Sequence, residues 1–576
     1  MTDRPAGPLR RFLDWYFGAP GRRVVVWTVW AAMTVLAGGY IREYGPNMPV
    51  YDEWTFVPVL YGPTATKWEW VVERHAEHRY PLARLLYLGL FHATGGDYRA
   101  GMWCTLGLLS GAAALVMTTA RTARGTTAYS DCWAPILLLH RGHCENLIMG
   151  YQIAFTLNVF AVAAFVALVV RSPGWPAARV AWIGVALTLV LALGGGIGLL
   201  FAPLVGGWVI WRTVTQPCRT PAAWAAVGVC GAILAYAAVA VADSLSAPRI
   251  HRSTPGPETA WTVLQTVGNA FGPALTSARS VSGIALAIVG VAAAGLLLRQ
   301  FWADREQRAV TLGLLTALAG VAAFAVVIGF TRPNVASPRY AAIAALGPCV
   351  ILITLAGRFP RLPRWWTVAG AVGVAVGGAV VVRQNWLEAA TFGRGYRTAE
   401  QSVRADAAAG MTLDLIAERH RYYHGVDRFR EYWTILWSHD AGPVRGAAPP
   451  AEYRVIATLL PADEPAPDPR IPPPDPLLFR TRLVPDTDQP VAALRLKFTL
   501  PVDRAWMPFR FHWLTVDADG RVTAHTRSHN CWVDAGERPM TLWVHDRLVA
   551  VWVDLGREQP LPTVIETQLL VPADGR

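Results

Sequence analysis

RVVVWTVWAAMTVLAGGYIREYGPNMPVYDEWTFVPVL, residues 23–60, decides the fold. The run 24–40 is apolar and matches the roughly 17–25 helical residues needed to cross about 30 Å of hydrocarbon. The chain then changes character: Asp52 and Glu53 stand side by side among aromatics and prolines. A membrane-crossing helix followed by an acidic, aromatic loop predicts an integral membrane protein that holds something beside the bilayer.

Composition agrees. Of 576 residues, 53% are hydrophobic and 16% charged, and the mean hydropathy is +0.30; a soluble domain carries about 25% charged residues. Further apolar runs fall near 99–119, 131–147, 153–170, 180–194, 197–211, 222–242, 281–298, 309–330, 340–356 and 366–382. They predict an α-helical polytopic membrane protein of about eleven transmembrane helices. The least regular runs are 131–147 and the pair flanking Gly194, Gly195 and Gly196.

Arginines alternate loop by loop. Arg10, Arg11, Arg22 and Arg23 precede the first run, and Arg121, Arg124, Arg171, Arg179, Arg212, Arg219, Arg299, Arg305, Arg308, Arg358, Arg361 and Arg364 fall in every second loop after it. The positive-inside bias places these loops and the N-terminus in the cytoplasm and the acidic pair outside. The first run lacks a small-residue cleavage site and reads as an uncleaved anchor. Much of the net charge of +12 is this topological signal, so no nucleic-acid partner is expected. The seven cysteines have no paired spacing.

The transmembrane domain is expected over 1–382, with a large first outer loop at 41–98. A charged helical segment, 383–450, follows, then a proline-dense linker, 451–477. Alternating stretches such as ALRLKFTL and FRFHWLTVDADG predict a β-sandwich-like domain over 478–576. An odd number of spans places this tail outside, in the periplasm or beyond. Trp543 and Trp552 lie on its predicted strands and read as core residues.

Polar residues cluster in three outward places. The first loop carries Asp52, Glu53, Glu73, Arg74, His75, Glu77, His78, Arg79 and Arg84 and continues into an amphipathic stretch, 81–93, suited to the membrane interface. HRGHCENLIMGYQ, 140–152, sets His140, Arg141, His143, Glu145, Asn146 and Gln152 into an apolar hairpin, where polar groups are costly unless they have partners or line a cavity. Arg249, His251 and Arg252, with Arg332, Arg339 and Tyr340 of TRPNVASPRY, supply outward cations against the positive-inside trend. They suit an anionic headgroup, or else anchor loops at the interface.

The first span, the YDEW loop opening and EHRYPLAR on an interfacial helix resemble the GT-C fold of integral-membrane glycosyltransferases that use polyprenyl-phosphate sugars. ENLIMGYQ and SPRY are similar to segments of bacterial members, and the resemblance covers about residues 20–385. It implies an inverting transferase on the outer face of the plasma membrane, moving a sugar from a polyprenyl-phosphate donor to a lipid, glycan or protein acceptor. By the same resemblance Asp52 is the general base, with Glu53 beside it or exchanging roles with it. Arg79, Arg84, Arg141, Arg332 or Arg339 are cations for the leaving phosphate. Glu77, His78, His143, Glu145, Asn146, Gln152 and Tyr340 complete the candidate substrate site. Some members use a divalent cation, for which the residues in position are Asp52 with His75 and His78 at helical spacing; two histidines three apart more often hydrogen-bond within a loop. No Gly-rich phosphate loop follows a strand, which disfavours a nucleotide sugar. A transporter or flippase of a lipid-linked or anionic solute is the alternative, and it would need ionisable groups deep in several spans.

Overall fold

The computed structural model describes residue 16 and residues 18–447 except 76–77, 216–219, 247–255, 274–275, 333–336, 360–363, 409–412 and 421–425. Beyond these it describes 453–457, 459–461, 469–471, 478–485, 490–500, 505–517, 519–533, 536–556 and 563–572. The chain divides into two compact units, Met1–Glu400 and Gln401–Arg576.

The first unit is a helical bundle. Among the described residues nine helices are long and apolar enough to cross a membrane: Ala19–Tyr44, Arg99–Arg124, Gly150–Gly174, Gly196–Val214, Pro221–Ser246, Arg279–Ala303, Arg308–Thr331, Pro338–Arg358 and Thr367–Ala408. The chain is a multi-pass membrane protein. The expected eleven are not all found among the described residues: Ala177–Leu193 is an apolar helix of 17 residues, at the short end of what can cross, and residues 131–147 do not form one helix.

That second segment crosses the bundle in pieces. Trp133–Leu139 and Cys144–Ile148 are short helices, separated by a tight turn at Arg141–His143 and followed by another at Gly150–Gln152. The breaks fall at His140 and Met149, whose backbones are extended. The two ends of the segment lie at opposite ends of the neighbouring Arg99–Arg124 helix. At one end Arg124 forks onto Asp131, with bonds of 2.9 and 3.1 Å. At the other, Gly150 lies so close to Gly101 that a Cβ there would sit 2.7 Å from the Gly150 backbone. Residues 134–152 are buried without exception. A broken backbone at membrane depth is tolerated only where the protein itself surrounds it and supplies its hydrogen bonds.

The last span continues well past 382, as a single helix over Arg364–Ala408. Tyr40 ties the first helix to it by donating to the Ala389 carbonyl at 2.9 Å.

In the second unit, β1 (Tyr453–Ala457), β2 (Leu459–Pro461), β3 (Leu478–Pro485), β4 (Pro490–Leu500), β5 (Ala505–Val516), β6 (Val522–Val533), β7 (Gly536–Gly556) and β8 (Thr563–Pro572) form one antiparallel sheet. A β-sandwich-like domain was expected, and here the strands are joined in one sheet. The 21-residue β7 explains the difference, because its first half pairs with β4 and its second half with β3 and β5, joining all the strands through one hydrogen-bonded ladder. Part of the expected linker joins the same sheet as β1 and β2. Trp552 packs in a small core with Ile471, Leu514 and Ala550, whereas the Trp543 side chain lies outside the described residues.

Candidate active site

The acidic pair sits on a 3₁₀ turn, Tyr51–Phe56. With about three residues per turn, neighbouring side chains on such a helix diverge by about 120°, and here one carboxylate points out and the other in. Glu53 is fully buried. Its two oxygens accept from the Val50 backbone N–H at 2.9 Å and the Tyr151 N–H at 2.8 Å. Burial pushes its carboxyl up to about 8, against the downward pull of those two N–H donors. Gly150 makes the tie to Tyr151 feasible, since a Cβ there would lie 3.0 Å from the Glu53 Oε1. Glu53 therefore fastens the loop to the broken segment.

Asp52 has the opposite environment. Its side chain is 51% exposed, and its carboxylate lies 3.5 Å from His75 Nε2. The residue before it, Tyr51, has φ +48°, a strained conformation for a non-glycine residue that costs of order 1–3 kcal/mol and is typical of functional sites. The strained turn is held at both ends. Asn47 N–H donates to Glu400 at 3.2 Å while the Asn47 side-chain oxygen accepts from Tyr98 N–H at 3.0 Å, and Thr55 donates to the Asp52 carbonyl at 2.7 Å.

His75 and His78 are not on a helix, as their spacing suggested. They exchange backbone hydrogen bonds of 2.7 and 3.1 Å across a tight hairpin. His75 faces Asp52 and the rings of Phe56 and Tyr151. His78 turns the other way, to the Ser244 hydroxyl at 3.1 Å, with its ring seated on Gly196. Arg79 binds Asp243 at 3.1 Å and the Val72 carbonyl at 2.6 Å. Arg84 is buried; it donates to the Trp70 and Glu73 carbonyls and stacks over the Trp70 ring, closing the end of the Thr64–Val72 helix. Its guanidinium thereby braces the loop.

The ENLIMGYQ and SPRY segments, 193 residues apart at Asn146 and Arg339, meet. Glu145 accepts from Ser337 and binds Arg339 Nε at 3.0 Å, and Asn146 donates to the Arg339 carbonyl at 3.1 Å. Asn269 holds the Ser337 carbonyl at 2.9 Å. The Arg339 side chain remains 34% exposed, and Asp52, after Glu145, is among the carboxylates close enough to act on it. Asp52, His75 and Tyr151 thus meet, with Arg339 near enough to feel the Asp52 charge.

The remaining expected residues divide. Arg141 is buried between Tyr40 and Trp386, with its guanidinium 3.3 Å from the Trp386 ring centre. His143 bonds the Leu137 carbonyl at 2.9 Å and stacks on His140. Gln152 is buried against Met149 and Tyr340 against Phe155 and Phe324. These residues support the broken segment. Arg332 is exposed at the end of the Arg308–Thr331 helix. Glu77, Arg249, His251 and Arg252 lie outside the described residues. Among the described residues no group of three His, Cys, Asp or Glu side chains could hold a metal ion.

Sequence reading passed over Asp243, Ser337, Asn269 and Asn385. Asn385 is buried and holds the Phe271 carbonyl at 2.7 Å. A lone acid closing an apolar run was the available signal for Asp243; an isolated Asn or Ser carries none. Compared with known proteins, the chain matches no family model and no curated protein.

Proposed function

We propose that the chain is an inverting glycosyltransferase of the plasma membrane, acting outside the cytoplasm on a polyprenyl-phosphate sugar and a lipid, glycan or protein acceptor. The observation that carries this reading is the split of the acidic pair: a solvent-facing Asp52 on a strained turn beside His75, backed by a Glu53 buried on two backbone amides. An exposed carboxylate in reach of a substrate suits a general base. Asp52 takes the proton of the acceptor hydroxyl, whose oxygen forms a bond to the anomeric carbon. The bond from that carbon to the donor phosphate breaks, and the phosphate leaves with the electron pair. Arg339, oriented by Glu145 and Ser337, is the cation best placed to stabilise the departing phosphate. Arg332 is a second cation in the same segment. On this reading the N-terminus is cytoplasmic and the loop at 45–98 faces outward, in keeping with the arginine pattern.

A panel of polyprenyl-phosphate hexoses and pentoses, incubated with the purified protein and membrane or cell-wall acceptors, tests the proposal. Asp52→Asn should lower transfer by about 10²–10⁴, the usual loss with a general base, while donor binding stays near that of the unaltered protein. Undiminished transfer by Asp52→Asn sinks the mechanism. The broken 129–152 segment gives the transporter reading its one support, because discontinuous helices often line transport sites. That reading predicts solute flux and no transfer product from any donor.

A further inference from the structure

Asp243 lies in the last turn of the Pro221–Ser246 helix, far along the chain from the acidic pair, yet two arginines of the first loop converge on it. Arg74 binds one carboxylate oxygen and, at 3.1 Å, the Asp243 carbonyl; Arg79 Nε binds the other oxygen at 3.1 Å. These arginines flank the hairpin in which His75 and His78 exchange backbone bonds. On one side of the hairpin His78 reaches Ser244, the residue after Asp243. On the other, His75 faces Asp52. The seat beneath is made of glycine: a side chain at Gly195, whose φ is +96°, would run into the Tyr80 ring, and one at Gly196 into His78.

We propose that Asp243 is a positioning residue for the site, clamping Arg74 and Arg79 so that the hairpin between them presents His75 to Asp52. The proposal rests on the reading of Asp52 as the base, and it adds a residue from a distant helix that touches no substrate. A single carboxylate with a guanidinium on each side of a short hairpin fixes both of its strands. A fixed hairpin holds the imidazole within ion-pair distance of the carboxylate that must accept a proton. Loosening such an arrangement by about 1 Å can lower a rate by about 10²-fold without a matching change in binding.

The test uses full-length protein in detergent and has two arms. In the first, trypsin is added and its cut sites are read by mass spectrometry. The unaltered protein should resist cleavage after Arg74 and Arg79, and Asp243→Asn should be cut there while its melting temperature stays close to normal. In the second, transfer is measured with the polyprenyl-phosphate sugar panel. Asp243→Asn should lose about 10- to 100-fold in kcat with little change in KM, and Asp243→Glu should recover part of that loss. If Asp243 acts through His75, adding Asp243→Asn to His75→Ala should cost nothing beyond His75→Ala alone. Continued resistance of Asp243→Asn at Arg74 and Arg79 overturns the clamp, and so does an additive loss in the double variant. Absence of transfer by the unaltered protein from every donor defeats the reading of function instead, and the trypsin arm still decides the clamp.

Discussion

The Arg99–Arg124 helix and the 129–152 segment lie against each other and cover the same height of the bundle. The first does so as 26 continuous helical residues closed by Gly125, whose φ is +84° and whose N–H returns to Arg121 at 2.8 Å. Its backbone is satisfied internally, and its outward face is free to be apolar. The second does so in two short helices and three tight turns, and each break leaves backbone groups that must find partners elsewhere. His140, which accepts from Gly142 N–H at 3.0 Å, and His143 on the Leu137 carbonyl supply them within the segment. Polar residues in a crossing segment thus need not mark a substrate path. Those at 140–143 repair a broken helix, whereas Glu145 and Asn146 carry the same segment's influence to Arg339 at the site.

Substitutions that treat the two passes alike sharpen the contrast. The largest effect is expected at Gly150, where any side chain would meet the Tyr98 carbonyl, Glu53 and Tyr87. Gly150→Val should lower stability by about 3 kcal/mol or more, the range of severe overpacking, and should appear as loss of folded protein in a detergent melting experiment. Normal folding of that variant would mean the close approach of the two passes is not required.

Glu145→Gln comes next. It removes the charge that Ser337 and Arg339 share, and hydrogen bonds to charged groups contribute about 1.5–3 kcal/mol each before solvent screening of the partly exposed Arg339. Donor affinity should fall together with stability. A change in stability alone would confine Glu145 to the fold.

A pH series tests the buried member of the acidic pair. Burial raises the Glu53 carboxyl from 4.5 to about 8, so it holds its proton more tightly in the folded protein than in the unfolded chain. Between those values the unfolded chain has released a proton that the folded one keeps, so stability should fall as pH rises through the window and level off above it. Glu53→Gln should flatten that slope in melting temperatures. An unchanged slope would assign it to another group.

The smallest expected effect is at Gly107 on the continuous helix, where an added Cβ meets nothing within 4 Å. Gly107→Ala should stabilise by about 0.5–1 kcal/mol through helix propensity. Loss of stability there would show that this pass, too, is closely packed at an outward face.

The membrane class, most of the spans, the amphipathic Pro81–Ala93 helix and the β-rich tail were legible in the sequence, because each follows from local hydrophobic period and length. The acidic pair, the ENLIMGYQ and SPRY segments and the glycine run were legible as unusual. Their roles were not. Adjacent Asp52 and Glu53 occupy different sides of a 3₁₀ turn, and one of the two amides that hold Glu53 inward is the Tyr151 N–H, 98 residues away. Arg84, Arg141 and Arg339 look alike in the sequence as cations, yet carbonyls hold the first, aromatic rings hold the second, and Glu145 holds the third. Hydrophobic period is a property of neighbours in sequence and can be read one residue at a time. The partner that satisfies a buried charge, or leaves one exposed, is brought in from a distant part of the chain, and only the packed bundle chooses it.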